Sequence, residues 1–180
     1  MSFYPTDHGG SAEILLRCGR SLLFGGGATV EPWLDDSGVQ IHGPGRSKIV
    51  IGADKIDDWE QYLDLMVTSI AANGGRSCIN ASGVWVPAHG RKIAEALGDR
   101  LSQIQALPLE DPKAQLAAFA NPELAHKLSA LIDAQLGDEA QDLARGQSTR
   151  IATTGGCTFL NPTLIHTPYA DHPLANAEYL

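Results

Sequence analysis

Apolar residues recur with two different spacings along this chain of 180 residues. Over residues 59–70 and 91–107 they return every three or four positions, which predicts two amphipathic helices. Residues 116–145 are also rich in helix-forming residues, with a break expected at Asn121 and Pro122. Short apolar runs typical of strands occur at 21–24, 48–51, 84–86, 151–153 and 162–166. Helices that alternate with short strands predict an α/β fold built around a mainly parallel sheet.

The stretch 71–82 contains the most reactive candidate side chain, Cys78. It joins a predicted helix to the strand-like run 83–87 through two glycines, which turn the backbone without steric cost. A helix that restarts at Ser77 places Cys78 in its first turn, where unpaired amides and the positive helix end favour a thiolate. A nucleophile is one interpretation, and a small hydrophobic residue buried in the core is the other.

A second glycine-rich segment follows the predicted strand 21–24. Gly25, Gly26 and Gly27 lead from that strand into a short predicted helix, a layout that brings backbone amides close to a phosphate. The segment lacks the full glycine fingerprint of dinucleotide-binding folds, so a plain turn is the alternative.

Composition narrows the range of partners. The net charge of −8 and the absence of a Lys/Arg cluster exclude a nucleic-acid backbone as the expected partner. The three cysteines are widely spaced and form no C-x-x-C motif, so we expect neither disulfides nor a metal site. This cysteine usage is typical of a reducing compartment. No signal peptide and no run long enough to cross a membrane is visible, which favours the cytoplasm.

The order of Asn73, Gly75 and Cys78 (Asn-x-Gly-x-x-Cys) resembles the active-site cysteine segment of the aldehyde dehydrogenase superfamily. In that family the segment likewise links a long helix to a strand. Residues 155–163 resemble the family's Gly-Gly-x-Phe-x-x-Pro-Thr strand segment. Residues 175–180 resemble its region that ends in Glu-Ile-Phe-Gly-Pro. These motifs follow one another in the order that the family shows.

The resemblance implies a cofactor, NAD or NADP, and residues that would bind it. Phe24, Gly26 and Gly27 fall on the family's Phe-Thr-Gly-Ser pattern, whose last residues lie beside the cofactor phosphates. Gly25 and Gly27 replace the threonine and the serine, so backbone contacts are expected there rather than hydroxyl contacts. Glu178 matches the glutamate that holds the nicotinamide ribose hydroxyls.

The resemblance also implies a domain organisation. Residues 1–46 match the last piece of a Rossmann-like nucleotide domain, and residues 47–180 match most of a three-layer α/β/α catalytic-cysteine domain that stops short at its C-terminus. Family members are far longer than this chain. We therefore expect a fragment of a homo-oligomeric parent enzyme, inactive or nearly so when isolated.

One departure from the family pattern bears on the reaction. In the family, the counterpart of Cys78 attacks an aldehyde. A glutamate then activates the water that releases the acid. Pro44 lies close to where that glutamate is expected, and no Asp or Glu occurs over residues 39–52. Residues 43–45 look more like the Gly-Val-Gly-Pro-Gly-Asn segment of CoA-acylating members, in which a thiol accepts the acyl group. A CoA-acylating aldehyde dehydrogenase is therefore the expectation.

Three alternatives remain open at this stage. A hydrolytic aldehyde dehydrogenase could use another base, such as His42. A dehydrogenase-like module without activity could use Cys78 for packing alone. A cysteine acyl-hydrolase needs a histidine held against the thiol, and the candidates for that histidine are His42, His89, His126 and His166.

Overall fold

The computed structural model describes residues 3–144 and 149–177. The chain divides into two compact units between Pro44 and Gly45. This division lies close to the expected one, between residues 46 and 47. The roles expected of the two parts, a piece of a nucleotide domain and a catalytic-cysteine domain, stay predictions.

The first unit contains two parallel strands connected by short helices. Its elements are α1 (His8–Arg17), β1 (Ser21–Phe24), α2 (Gly27–Val30), a 3-10 turn (Glu31–Trp33) and β2 (Val39–His42). Phe24 pairs with His42 across the strands, and the two rings stack with their centroids 4.5 Å apart. Asp7 caps helix α1, because its carboxylate accepts a hydrogen bond from the Gly10 amide.

The helices of the second unit follow the predicted pattern, with shifted ends. They are α3 (Leu63–Ala71), α4 (Gly90–Leu101), α5 (Pro122–Leu136) and α6 (Pro173–Asn176), with 3-10 turns at Ile56–Tyr62 and Ala72–Gly75. Helix α4 ends before Leu107, since the amides of Gln103 and Ile104 each bond to the carbonyl only three residues back, which closes the last turn. No helix among the described residues is both long and apolar enough to cross a membrane.

The second unit contains both parallel and antiparallel pairs of strands. They are β3 (Lys48–Val50), β4 (Gly83–Trp85), β5 (Gln141–Asp142), β6 (Ile151–Thr154), β7 (Cys157–Leu160) and β8 (Ile165–His166). Strands β3 and β4 are parallel, whereas β5 with β8 and β6 with β7 are antiparallel. The predicted α/β class is therefore confirmed, but the expected mainly parallel sheet is not formed, because the described strands make four separate pairs of which two are antiparallel. Strand β7 is one that the apolar pattern did not predict. Gly155 and Gly156 both have positive φ, which lets them form the tight turn between β6 and β7.

Two buried clusters hold the second unit together. The larger one joins the end of β3 to α3 and α4 through Ile51, Ile56, Trp59, Met66, Ile93 and Leu97. The smaller one packs α5 against β7 through Phe119, Ala125 and Leu128, with Leu160 beside them. Each large apolar side chain buried in this way stabilises the fold by about 1.5–3 kcal/mol. Met66 of α3 belongs to the larger cluster and Val84 of β4 packs against it, so the segment that carries Cys78 starts and ends on elements packed in the core.

Candidate active site around Cys78

The chain turns sharply between the end of α3 and Cys78. Asn73, Gly74 and Gly75 all adopt left-handed backbone angles, with φ of 54°, 71° and 69°. Glycine and asparagine are the residues that tolerate this conformation. A Cβ atom at position 74 would lie 2.9 Å from the Ala117 amide nitrogen, so a side chain is excluded there by contact as well as by φ. Gly74 and Gly75 thus form the sharp backbone turn that the sequence predicted.

The expected helix after Ser77 is absent. Residues 77–80 form a single turn in which the Asn80 amide donates to the Ser77 carbonyl at 2.9 Å. The next two amides, which would continue a helix, point elsewhere: Ala81 donates to Ser69 and Ser82 donates to Ser47, both at 2.9 Å. The prediction that Cys78 occupies the first turn of a helix is therefore wrong, and helix-dipole activation of its thiol is not available.

Asn80 fixes the shape of this turn. Its side-chain oxygen accepts from the Ser77 amide at 2.8 Å, and its side-chain nitrogen donates to the carbonyls of Ser69 and Ala72, each at 3.0 Å. Asn80 is buried, and these two carbonyls belong to the end of α3, where helical partners run out. Sequence reasoning missed Asn80, and the one signal for it is the preference of asparagine for turns in which its side chain bonds to nearby backbone.

The segment that precedes β3 packs against the backbone of Cys78. A Cβ atom at position 45 would overlap the Cys78 carbonyl oxygen, at 1.7 Å, so only glycine allows this approach. The Ser47 hydroxyl lies 3.4 Å from the same carbonyl and donates to it. The structure therefore places Gly45 and Ser47, which follow the position where the family's general base was sought, against the backbone of Cys78.

Arg76 anchors the other side of the cysteine loop, which we define as residues 76–82. Its guanidinium donates to the carbonyls of Ala117 and Ala118, at 3.2 and 2.7 Å. It also lies 4.4 Å above the centre of the Phe119 ring, a cation–π contact. The loop is thus held by α3, by the start of β3 and by residues 117–119.

The side chain of Cys78 is exposed to solvent and unpaired, as are those of Cys18 and Cys157. The interpretation of Cys78 as a residue packed in the core is therefore wrong for the described structure. Among the hydrogen bonds of the described residues, none joins the Cys78 thiol to a histidine. The arrangement needed by a cysteine acyl-hydrolase is absent from that part of the chain.

The candidate histidines have other neighbours. His42 stacks on Phe24, and His89 lies 3.0 Å from the carboxylate of Asp57. His166 belongs to β8, where partial burial and then the positive charge of Arg91 lower its pKa, against a smaller opposite effect of Glu95. Three of the four candidate histidines thus have described contacts with groups other than the Cys78 thiol.

Two of the three candidate cofactor residues, Gly26 and Gly27, belong to the first unit, whereas Cys78 belongs to the second. Gly26 precedes α2 and accepts hydrogen bonds from the amides of Thr29 and Val30. No atom lies within 4 Å of the Cβ position at Gly26 or Gly27, so their backbone has open space beside it. The third candidate, Glu178, lies outside the described residues.

The sequence profile of the aldehyde dehydrogenase family matches residues 37–180, which is most of the chain. The matched region includes the cysteine loop, both strand pairs that follow it and the segment before β3. A search of curated proteins found no match.

Solved structures similar to this chain are aldehyde dehydrogenases. One is the NAD⁺ complex of an aldehyde dehydrogenase from Bacillus cereus, with 16% identity and a TM-score of 0.72, covering 89% of this chain and 33% of that one. Another is aldehyde dehydrogenase C from Pseudomonas syringae with NAD⁺ and octanal, with 16% identity and a TM-score of 0.72, covering 89% and 34%. A third comes from Pseudomonas aeruginosa, with 20% identity and a TM-score of 0.71, covering 89% and 33%.

This chain spans about one third of the length of these structures. The structural similarity shows that it shares their fold, and the family profile extends over the cysteine loop. The resemblance inferred from the motifs is confirmed at the level of the family. This chain belongs to the aldehyde dehydrogenase family.

Proposed function

We propose that this chain is the cysteine-bearing part of a longer, CoA-acylating aldehyde dehydrogenase that depends on NAD or NADP. One observation carries the CoA-acylating assignment. Gly45 and Ser47 pack against the backbone of Cys78, and the sequence around them, where the family has its general base, contains no carboxylate over residues 39–52. The substrate class is a small aldehyde.

Cys78 is the proposed nucleophile. As a thiolate it adds to the aldehyde carbon, which forms the C–S bond of a thiohemiacetal and places negative charge on the former carbonyl oxygen. The backbone N–H of Cys78 is the proposed donor to that oxygen. Loss of hydride from the carbon then leaves a thioester on Cys78. The exposure of this thiol supports the role, because a substrate can reach it.

The cofactor, when bound, accepts the hydride. Gly26 and Gly27 are proposed to hold its phosphates through backbone amides, which fits the open space beside both residues. Glu178 is proposed to hold the ribose hydroxyls, as the family resemblance implies. Two of the similar structures are described as complexes with NAD⁺, which supports a nicotinamide cofactor here.

Release of the acyl group distinguishes the two candidate reactions. In the hydrolytic reaction a general base takes a proton from water, and loss of such a base costs about 10²–10⁴-fold in rate. In the acylating reaction the CoA thiolate attacks the thioester carbon and expels the Cys78 thiolate, with no need for that base. Pro44, which directly precedes Gly45, supplies no proton acceptor at this point of the sequence.

The remaining assignments follow from the family and the cysteines. We propose that the longer enzyme is a homo-oligomer and that it works in the cytoplasm. The unpaired state of the three cysteines supports a reducing compartment. The net charge of −8 supports small-molecule substrates rather than nucleic acid.

The test is steady-state reduction of NAD⁺ and of NADP⁺ by the longer enzyme with a short aldehyde, with and without CoA. We expect turnover that depends on CoA and that falls at least about 10⁴-fold in Cys78→Ser. Cys18→Ser and Cys157→Ser are matched controls, since both residues are exposed cysteines outside the loop, and we expect them to retain activity.

Two results would contradict the proposal in different ways. Equal turnover without CoA would establish the hydrolytic reaction and require another base, with His42 the first to examine. No turnover under any of these conditions would favour a dehydrogenase-like assembly module instead.

A further inference from the structure

Lys48, the first residue of β3, contacts Ser82, the last residue of the cysteine loop. The Lys48 ammonium donates a hydrogen bond to the Ser82 hydroxyl oxygen. Ser82 in turn bonds to Ser47 twice, through its amide at 2.9 Å and through its hydroxyl, which donates to the Ser47 carbonyl at 3.4 Å. These contacts join residues that lie 34 and 35 positions apart in the sequence.

The backbone of the neighbouring strand directs Lys48 towards this hydroxyl. Lys48 is the strand partner of Gly83, the residue that follows Ser82. A Cβ atom at position 83 would lie 3.0 Å from the Lys48 Cδ and 3.4 Å from the Trp85 indole nitrogen. The aliphatic stem of Lys48 therefore occupies the space that glycine leaves open.

The same short segment also contacts Cys78 itself. Ser47 uses its hydroxyl to reach the Cys78 carbonyl and its own carbonyl to receive the amide and hydroxyl of Ser82. Gly45 lies against the Cys78 carbonyl from the same side. A change in the position of Ser82 relative to β3 is therefore transmitted to the backbone of Cys78, from which the thiol extends.

The two anchors of the loop differ in their surroundings. Asn80 is buried and bonds to α3 inside the fold, so it contributes to the stability of the whole unit. The Lys48–Ser82 contact is accessible to solvent, where charged contacts add little to the free energy of unfolding. We therefore expect this contact to fix the position of the cysteine loop rather than to add to the free energy of unfolding.

We propose that Lys48 is a positioning residue that holds Cys78 in its reactive place through Ser82 and Ser47. This inference rests on the proposed function of Cys78 as the nucleophile. It is a role for a charged side chain that does not touch the substrate. A displacement of about 1 Å in a reacting group costs up to about 100-fold in rate, so the loss of this contact has a measurable effect on turnover.

The first test is amide hydrogen exchange on the 180-residue chain, in Lys48→Ala, Lys48→Arg and the matched control Lys55→Ala. Lys55 is an exposed lysine of the same unit, outside the loop. In Lys48→Ala we expect exchange about tenfold faster in peptides that cover residues 77–83, with no change in α4. Lys48→Arg keeps a donor and should restore slow exchange, and Lys55→Ala should match the unsubstituted chain.

The second test applies the same variants to turnover by the longer enzyme. We expect Lys48→Ala to lower kcat at least about tenfold with little change in KM for the aldehyde, and Lys48→Arg to recover most of the rate. Unchanged exchange in the loop, faster exchange throughout the unit, or an unchanged kcat in Lys48→Ala would each overturn the positioning role. Absence of turnover in the unsubstituted enzyme would instead contradict the proposed function, and that result is separate from the exchange measurement.

Discussion

At the scale of single residues, the site depends on an asparagine as much as on a cysteine. Asn80 closes the turn around Cys78 through its own backbone and through three side-chain hydrogen bonds. Two of the groups that it satisfies are carbonyls at the end of α3. Because Asn80 is 9% exposed, water cannot replace these partners without opening the structure.

Substitution of Asn80 by alanine should therefore destabilise the second unit. Three hydrogen bonds are lost, at about 1 kcal/mol each, and backbone groups are left without partners in a buried place, so we expect a loss of about 3 kcal/mol. Urea denaturation followed by circular dichroism measures this directly. Gln105→Ala, at an exposed position, is the control, with an expected change within about 0.5 kcal/mol. A similar small change in Asn80→Ala would show that the turn does not depend on this side chain.

The sequence predicted Cys78 but not the residues that hold it. The two glycines and the cysteine stand next to each other, so their relation is visible in the sequence. Asn80 acts on Ser69 and Ala72, and nothing in the spacing indicates which backbone groups its amide reaches. The expected helix after Ser77 was wrong for the same reason, since the amides that would have built it bond to distant residues.

At the scale of elements, a buried arginine joins α5 to the strands that follow it. The Arg150 guanidinium bonds to the carbonyl and hydroxyl of Ser129, to Asp133 at 2.9 Å and to Asp142 at 3.1 Å. The side chains of Arg150 and Asp142 are 9% and 7% exposed, whereas that of Asp133 is 60% exposed. The two ion pairs of one arginine thus differ in their environment.

This difference predicts unequal costs of substitution. Arg150→Met removes a largely buried guanidinium together with its hydrogen bonds to Ser129, Asp133 and Asp142, and we expect a loss of about 3 kcal/mol. Asp133→Ala removes an exposed partner, and the expected loss is below about 1 kcal/mol. Urea denaturation of both variants gives the comparison. Equal losses in the two variants would contradict the assignment of the stabilising contact to the buried pair.

Element boundaries were predictable where a local signal marked them. Helix α5 begins at Pro122 with Asn121 as its cap and ends at Gly137, which has a φ of 60°. Asn121 and Pro122 were predicted as a break from the sequence. The apolar pattern did not predict strand β7, whose residues are covered only by the resemblance to the family's strand segment, and its pairing with β6 depends on the turn between them.

At the scale of the whole molecule, large apolar side chains remain exposed in both units. Leu22, Phe24 and Leu34 are each more than 60% exposed in the first unit, and Val50 is 75% exposed in the second. Strands β1 and β2 form a sheet of two strands, which is marginal by itself and leaves backbone groups available at its edges. Leu22 and Phe24 are both exposed on the same face of β1, and exposed apolar surface of this kind favours association.

The 180-residue chain should therefore self-associate in solution. Sedimentation velocity over a range of concentrations should show species heavier than the monomer, and the double variant Leu22→Glu/Phe24→Glu should reduce them. Leu109→Glu is the control, since Leu109 is exposed in a loop outside the sheet. A monomer at every concentration, or an equal effect of the control, would contradict association through β1 and β2.

The α/β class could be predicted for the whole chain because it depends on the spacing of apolar residues. The pairing of strands could not, since β3 joins β4 across more than thirty residues and no local pattern encodes that choice. The contact of Gly45 with Cys78 also could not be predicted from a local sequence pattern. Only the fold brings Gly45 and Ser47 against the candidate nucleophile.

In the proposed reaction, Cys78 carries the acyl group as a thioester. The most direct measurement is peptide mass spectrometry of the longer enzyme, quenched with acid after incubation with a short aldehyde and NAD⁺ but no CoA. We predict an acyl adduct on the peptide that contains Cys78, its loss on addition of CoA, and its release by hydroxylamine, as expected of a thioester. The peptides that contain Cys18 and Cys157 serve as controls and should stay unmodified.

An adduct confined to Cys78 and discharged by CoA would establish both the nucleophile and the acyl acceptor. Rapid loss of the adduct in water alone would contradict the assignment of CoA as the acyl acceptor. No adduct at Cys78, or equal adducts at Cys18 and Cys157, would contradict the claim that this cysteine performs the reaction.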